Sequence, residues 1–300
     1  MTTALQTAEP ALDPSPSRER QRHRHLVYTS AGHRSNIARW LSGPRAFDLW
    51  ITHYDAGESP HRGAATHYDE RRGAKFQNLH HAFQAWPEVF AGYEAVLVMD
   101  DDVLLDGADI GRLFALREAH DLWLLQPAFH PRGKVSHPIT RWRPGVHLRF
   151  TSFVEVTCPL FRADRLADFM RVYDPALVGW GIDWWFLHEL GPDLRGHVAI
   201  ADAVPCVNPH DRAVGLARRI DEVQDRAARK RDWERLRAQK GIEEIPQVVF
   251  ATLAEPAPHR FAARVRQMLD VPTHLEWWWF RAHSRAAALS DRLASRGGRS

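Results

Sequence analysis

The run Ala95-Val96-Leu97-Val98-Met99 ends in three consecutive carboxylates, Asp100, Asp101 and Asp102, and this boundary constrains the fold more than any other stretch of the chain. An unbroken apolar run of this length suits a strand covered on both faces, the kind found inside a parallel sheet. In open α/β sheets the ligand crevice lies beyond the carboxyl ends of the strands. Three adjacent acids placed there repel one another unless a cation offsets their charge. Carboxylate oxygens suit Mg2+ or Mn2+, which in turn hold phosphate oxygens. The alternative for the same residues is a solvated acidic turn.

The flanking pattern favours the sheet. Residues 25–29 (HLVYT) read as a first strand, followed by apolar residues at helical spacing (Ile37, Trp40, Leu41) that stop at Gly43-Pro44. Residues 47–52 (FDLWIT) read as a second strand, and Phe76, Leu79, His80 and Phe83 share one face of a helix over 75–86. Repeated strand–helix units imply a mainly parallel, doubly wound sheet. Downstream, 122–126 (LWLLQ) is a strand, 127–145 a long loop of the lid or binding type, and 151–161 an alternating strand carrying Glu155. Two closing strands are expected at 197–201 and 204–207, ending at Asn208-Pro209-His210.

Composition narrows the partners. The 300 residues suffice for one large α/β domain or two small ones, and the net charge is only +3 with a pI near 9.1. That mild basicity suits anionic small molecules or a weak membrane-surface association, and argues against nucleic acid. Two cysteines form neither a disulfide framework nor a zinc pattern, which favours a reducing compartment. No apolar run approaches a membrane span, and residues 1–24, lacking the apolar middle of a signal peptide, read as a disordered leader. The expected location is cytoplasmic, with peripheral contact at the inner membrane face through the tail.

Several side chains have the chemistry for a site. In an extended chain Asp100 and Asp102 project to one side and Asp101 to the other. A DxD pair at a central strand end suggests a nucleotide-sugar site of the GT-A glycosyltransferase kind, with the metal acting as Lewis acid on the leaving diphosphate. In Gly179-Trp180-Gly181-Ile182-Asp183, Trp180 offers an aromatic wall for a sugar. Asp183 suits a helix N-cap, or a general base on an acceptor hydroxyl. His210 suits the remaining ligand of an oxygen-rich Mn2+ site, and the orientation of Glu155 stays open between solvent and cleft. Lys75 and the loop residues Arg132, Lys134, Arg141 and Arg143 have the charge to meet phosphate.

The segments KFQNL (75–79), VMDDDV (98–103), QPA (126–128), SHPIT (136–140), FVEVTCPLF (153–161) and GWGID (179–183) occur in this order. Together they resemble the domain-of-unknown-function family 707, itself similar to GT-A glycosyltransferases, over roughly residues 25–215. His130 stands where that family often has an acid, and Val178 where it has His. The resemblance implies a GT-A-like α/β fold, a mixed, mainly parallel sheet flanked by helices. It implies metal at Asp100, Asp102 and His210, and a base candidate at Asp183; Glu155 is the second candidate catalytic residue. Thr29, Asp55, Lys75, Asn78 and Asp100 are the expected nucleotide contacts, and Trp180, Gly181 and His137 the expected substrate contacts.

The expected organisation is a catalytic domain over 25–215, a charged helical extension over 216–250 and a basic aromatic helical tail over 251–300. Acid–base pairs four residues apart, Glu222/Arg226 and Asp225/Arg229, mark the extension as a solvated helix. The expected activity is metal-dependent transfer of a sugar from a nucleoside-diphosphate sugar to a hydroxyl of a glycan or small molecule. Two alternatives are a haloacid-dehalogenase-like phosphatase with Asp100 as nucleophile, and a sugar- or nucleotide-binding module without turnover.

Overall fold

Alternation along the first strand explains the layers. In a computed structural model that describes residues 16–210 and 219–256, β1 (His25–Ala31) is buried at every position. Leu26 and Tyr28 face a core built with Phe76 and Leu79 of α2 (Lys75–Ala85). Val27 and Ala31 face a second core, with Ile110, Leu113 and Phe114 of α4 (Gly107–Ala119). A strand covered on both faces can be apolar throughout, which is why the run before Asp100 carries no polar residue. That run is β4 (Ala95–Val98), paired parallel to β1.

On the other side of β1 lie β2 (Asp48–His53) and β3 (His67–Glu70), both parallel. The short helices α1 (Ile37–Trp40) and α3 (Pro87–Phe90) close the crossovers around them. Beyond β4 the direction changes. β7 (Leu160–Arg162) pairs antiparallel with both β4 and β5 (Leu124–Phe129), and β8 (Val198–Cys206) runs parallel to β5. β6 (Val146–Thr151) and β9 (Val249–Ala254) complete a nine-stranded mixed sheet of order β3-β2-β1-β4-β7-β5-β8-β6-β9. β6 and β7 alone run against the rest. Helices α5 (Ala163–Val172) and α6 (Ile182–Glu189) add Phe169, Met170, Trp185 and Phe186 to the α2 side.

Four expectations change. The alternating segment 151–161 is not one strand: β6 ends at Thr151, residues 152–159 turn, and β7 starts at Leu160. The hydrophobic alternation is satisfied by two different places in the sheet. The two closing strands are a single β8, whose pairing with β5 shifts register between Pro127 and Ala128. Residues 57–73, whose histidines and glycines read as a loop between the second strand and the helix over 75–86, contain β3. The charged helix is not solvated all round. α7 (Arg219–Val223) precedes α8 (Arg226–Lys240), which Asp225 caps and which buries Arg229, Trp233 and Leu236. Trp233 belongs to the main core, and β9 straddles the expected boundary at 250, so the described part of the extension is integral to the fold. The aromatic cluster at 276–280 lies outside the described residues.

The long loop between β5 and β6 is anchored by a pair with no exposed surface. The Arg149 guanidinium on β6 bonds both carboxylate oxygens of Asp202 on β8, at 2.6 and 3.1 Å. It also donates to the carbonyls of Ile139 and Arg141, while Asp202 accepts from the Arg143 amide at 2.7 Å. Burial pulls the Asp202 carboxyl upward and Arg149 pulls it back.

Candidate active site

The sequence forms its acidic end because β4 stops where α4 must start. Val98 is the last strand residue, Asp101 and Asp102 lie in a turn, and Leu104 bridges antiparallel to Val207 beyond the end of β8. The three acids are therefore sorted by a turn and not by strand alternation. Asp101 is turned inward. It accepts from the Gly32 amide at 3.0 Å and from the Tyr54 hydroxyl at 3.1 Å, and burial pushes its carboxyl up to about 7. Asp101 thus joins the turns that follow β1, β2 and β4.

Asp100 keeps 43% of its side chain exposed, with one oxygen 2.6 Å from the Lys75 ammonium. Lys75 also donates to the carbonyls of Val156 and Thr157, both at 2.8 Å. With the Val98 carbonyl a fourth, more distant acceptor at 3.5 Å, the three ammonium hydrogens are all occupied, so Lys75 ties the β4 end to the 152–159 turn instead of standing ready for a phosphate. The Asp100 amide donates to Thr157 at 3.0 Å and completes that tie.

The same turn carries Glu155, and the structure answers the question of its orientation: it points inward, 3% exposed. Its Oε1 accepts from the Thr157 hydroxyl at 2.7 Å, and its amide donates to Gln126 at 2.6 Å. Its Oε2 is buried with no hydrogen-bond partner among the described residues. Burial pushes the Glu155 carboxyl up to about 7, helped by the negative charges of Asp183 and Asp100. Asp183 is buried too and accepts from the amides of Trp184, at 3.0 Å, and Val156. Burial pushes it up to about 7 as well, with Glu244 contributing. Asp100, Glu155 and Asp183 therefore meet around one turn, although 83 positions separate the first from the last.

Asp183 is not the helix cap. Gly181 is, at φ +80°, and Asp183 sits in the first turn of α6. The conformation is imposed from α8. A Cβ on Gly181 would fall inside the contact surface of the Trp233 ring, and one on Gly179 (φ +72°) would meet Ile220. Gly181→Ala is accordingly expected to cost about 2–4 kcal/mol, from left-handed backbone strain plus collision with a rigid ring. Gly145→Ala, with φ +79° and open space around it, isolates the backbone part at about 1 kcal/mol. Urea denaturation of both variants measures the difference.

The remaining expected contacts separate. Asp55 sits past the end of β2, its Oδ2 2.8 Å from the His33 amide, on the same edge as Asp101. Thr29 is fully buried within β1 and its hydroxyl has no exposed surface. Asn78 is spent on scaffold bonds to Ser30, Arg71 and Gly73. Both are removed from ligand contact because the strand and helix that carry them are packed on the sheet. His137 is held by Gln247 at 2.8 Å and lies 4.5 Å from the Phe153 ring, which in turn lies 4.8 Å from Trp184. Burial lowers its pKa. His210 is exposed at the end of the β8 extension. Among the described residues no group of three His, Cys, Asp or Glu is gathered where a metal could be held. Mg2+ needs only one or two carboxylates when phosphates and water complete its shell, and the half-exposed Asp100 and its turn neighbour Asp102 are the residues that could supply them.

Asp101, Thr157, Gln126 and Lys75 as a tie were not foreseen as partners. All four lie in segments already singled out, KFQNL, VMDDDV, QPA and FVEVTCPLF, but residue type alone did not pair them.

Glu155→Gln separates burial from charge. A carboxyl held near pH 7 in the fold and near 4.5 in the unfolded chain favours its proton in the native state. Wild-type stability thus falls as pH rises from about 4.5 through 7. The glutamine variant, which keeps the Thr157 acceptor, is expected to match wild type at pH 4.5 and to exceed it at pH 8 by up to about 3 kcal/mol. Thermal denaturation at the two pH values checks this.

No family model matches the chain, and no curated protein matches it. Among solved structures, S. aureus TarS 1–349 in complex with UDP is similar at 10% identity and TM-score 0.45, over 63% of this chain and 61% of that one. The complex of TarS 1–349 with UDP-GlcNAc is similar at 9% identity and TM-score 0.44, over 66% and 60%. The chain therefore spans about three fifths of the TarS 1–349 chains it resembles. Among the described residues no helix is long and apolar enough to cross a membrane.

Proposed function

We propose that this protein is a glycosyltransferase that moves a sugar from a nucleoside-diphosphate sugar to a hydroxyl of a glycan or small-molecule acceptor. One observation carries the reading: two buried carboxyls, Glu155 and Asp183, both pushed up to about 7, interact at the 152–159 turn, which is tied to Asp100 at the carboxyl edge of the parallel strands. Sugar transfer to a hydroxyl needs a base near its working pH, and paired carboxyls in a water-poor cleft supply it.

In this reading Asp183 accepts the hydroxyl proton as the acceptor oxygen bonds to the anomeric carbon. The bond from that carbon to the diphosphate oxygen breaks, and the nucleoside diphosphate leaves with the electron pair. Glu155 stands beside Asp183 as the second carboxyl of the pair, its buried Oε2 without a hydrogen-bond partner among the described residues. Asp100 and Asp102 would hold Mn2+ or Mg2+, with His210 as the further ligand, and Lys75 keeps Asp100 in position. When bound, the cation offsets charge on the diphosphate oxygens.

Calorimetric titration of UDP and GDP with and without Mn2+ tests the site. Binding is expected only with the metal, and Asp102→Ala is expected to remove it. Complete absence of metal-dependent nucleotide binding would sink the proposal. Slow release of nucleoside diphosphate from a sugar nucleotide distinguishes a transferase from a module that only binds.

A further inference from the structure

The GWG turn presents an aromatic ring to solvent, and the helix behind it supplies a charge. Trp180 is 38% exposed and is the only Trp, Phe or Tyr in that exposed range among the described residues. Its neighbours explain why it cannot turn inward. The space beside Gly179 is filled by Ile220 and that beside Gly181 by the Trp233 ring, so the turn is clamped from α7 and α8 with Trp180 left outside. Burying an indole is worth far more than exposing it, and a fold that spends two positive-φ glycines to hold one out calls for a ligand on its face.

Arg226, the first residue of α8, lies over that ring with its guanidinium carbon 5.6 Å from the centroid. It is exposed and makes no ion pair among the described residues. Lys230 follows one helical turn later, and Trp233 continues the stripe that meets Gly181. An indole face beside a guanidinium matches a sugar ring that carries a negative group: the ring stacks and the anion meets the planar donor fork.

Resting on the proposed transferase reading, we infer that Trp180 and Arg226 form the acceptor platform, three residues from Asp183, and that it selects a saccharide bearing a carboxylate or phosphate. The selectivity comes from a helix that lies outside the parallel sheet, so charge recognition and the transfer chemistry sit on different elements.

Ligand-observed NMR with the full chain and saturating UDP and Mn2+ tests this. The probes are methyl glucuronide, methyl glucoside 6-phosphate and uncharged methyl glucoside. At least one anionic probe is expected to bind about fivefold or more tighter than the neutral one, and Arg226→Gln to close that gap. Trp180→Ala is expected to weaken every probe, and Trp180→Phe to restore part of the loss. Equal affinity for charged and neutral probes, or no saturable binding of any, overturns the inference. UDP-sugar hydrolysis by the wild-type protein is read in parallel. If hydrolysis occurs and charge selectivity does not, the inference fails and the transferase reading stands. If selectivity occurs without metal-dependent UDP binding or hydrolysis, the transferase reading fails instead.

Discussion

Asp183→Asn is expected to lower sugar transfer by roughly 10²–10⁴-fold while nucleotide affinity stays within about twofold, the signature of a lost general base. Burial pushes the wild-type carboxyl up to about 7, so its basic form fills as pH rises through the neutral range. In wild type kcat/KM should rise as pH climbs toward 7 and level off above it, and the residual rate of the variant should lack that limb. Asparagine keeps an acceptor for the Trp184 amide, so the first turn of α6 has no reason to unravel. A variant that loses thermal stability but keeps its turnover would instead make Asp183 a structural residue of that turn. Steady-state kinetics from pH 5 to 9, with calorimetric nucleotide binding on the same preparation, separates the two.

The largest effect on stability is expected at Arg149→Met. This change leaves Asp202 buried with its charge met only by backbone. Removing one partner of a buried ion pair costs about 3–5 kcal/mol, because the other charge keeps its desolvation penalty. The Ile139 and Arg141 carbonyls lose their donor in the same step, so the 130–145 loop should detach from the sheet. Trypsin is then expected to cut at Arg132, Lys134, Arg141 or Arg143 much faster than in wild type. The double variant Arg149→Met, Asp202→Leu is expected to recover a large part of the loss in urea denaturation, since no charge is left buried. If the single variant unfolds at the wild-type urea concentration, the pair does not anchor the loop.

Much of the parallel half of the fold was legible because its code is local. A strand covered on both faces can be apolar throughout; 95–99 is, and 25–29 and 47–52 come close, with His25, Thr29, Asp48 and Thr52 as their only polar positions. β3 was hidden because two of its four positions, Asp69 and Glu70, are not fully buried, so its pattern reads as loop. The segment 151–161 misled for the opposite reason. Its alternation is genuine, but periodicity reports which residues face a core and not whether they occupy one strand or two. On the candidate site, Asp100, Glu155 and Asp183 were singled out from residue type and position, with the orientation of Glu155 left open, and packing brings them around one turn. Thr29 and Asn78 were expected at the ligand and lie instead inside the scaffold, since hydrogen-bonding capacity in a sequence does not say which side of a helix or strand will be sealed.

The sequence by itself determined the layered α/β class, the acidic edge after the central strand and the set of titratable residues available for chemistry. Each follows from short-range rules: hydrophobic period, turn residues and carboxylate chemistry. Only the tertiary structure decided how the acids divide their roles. A turn, not strand alternation, sends Asp101 inward and leaves Asp100 half-exposed. Long-range packing brings the 152–159 turn against both Asp100 and Asp183, and burial there moves two ordinary carboxyls to near neutrality. The helix that looked solvated became a clamp for the same reason. One buried tryptophan at position 233 outweighs a charged surface that never leaves water.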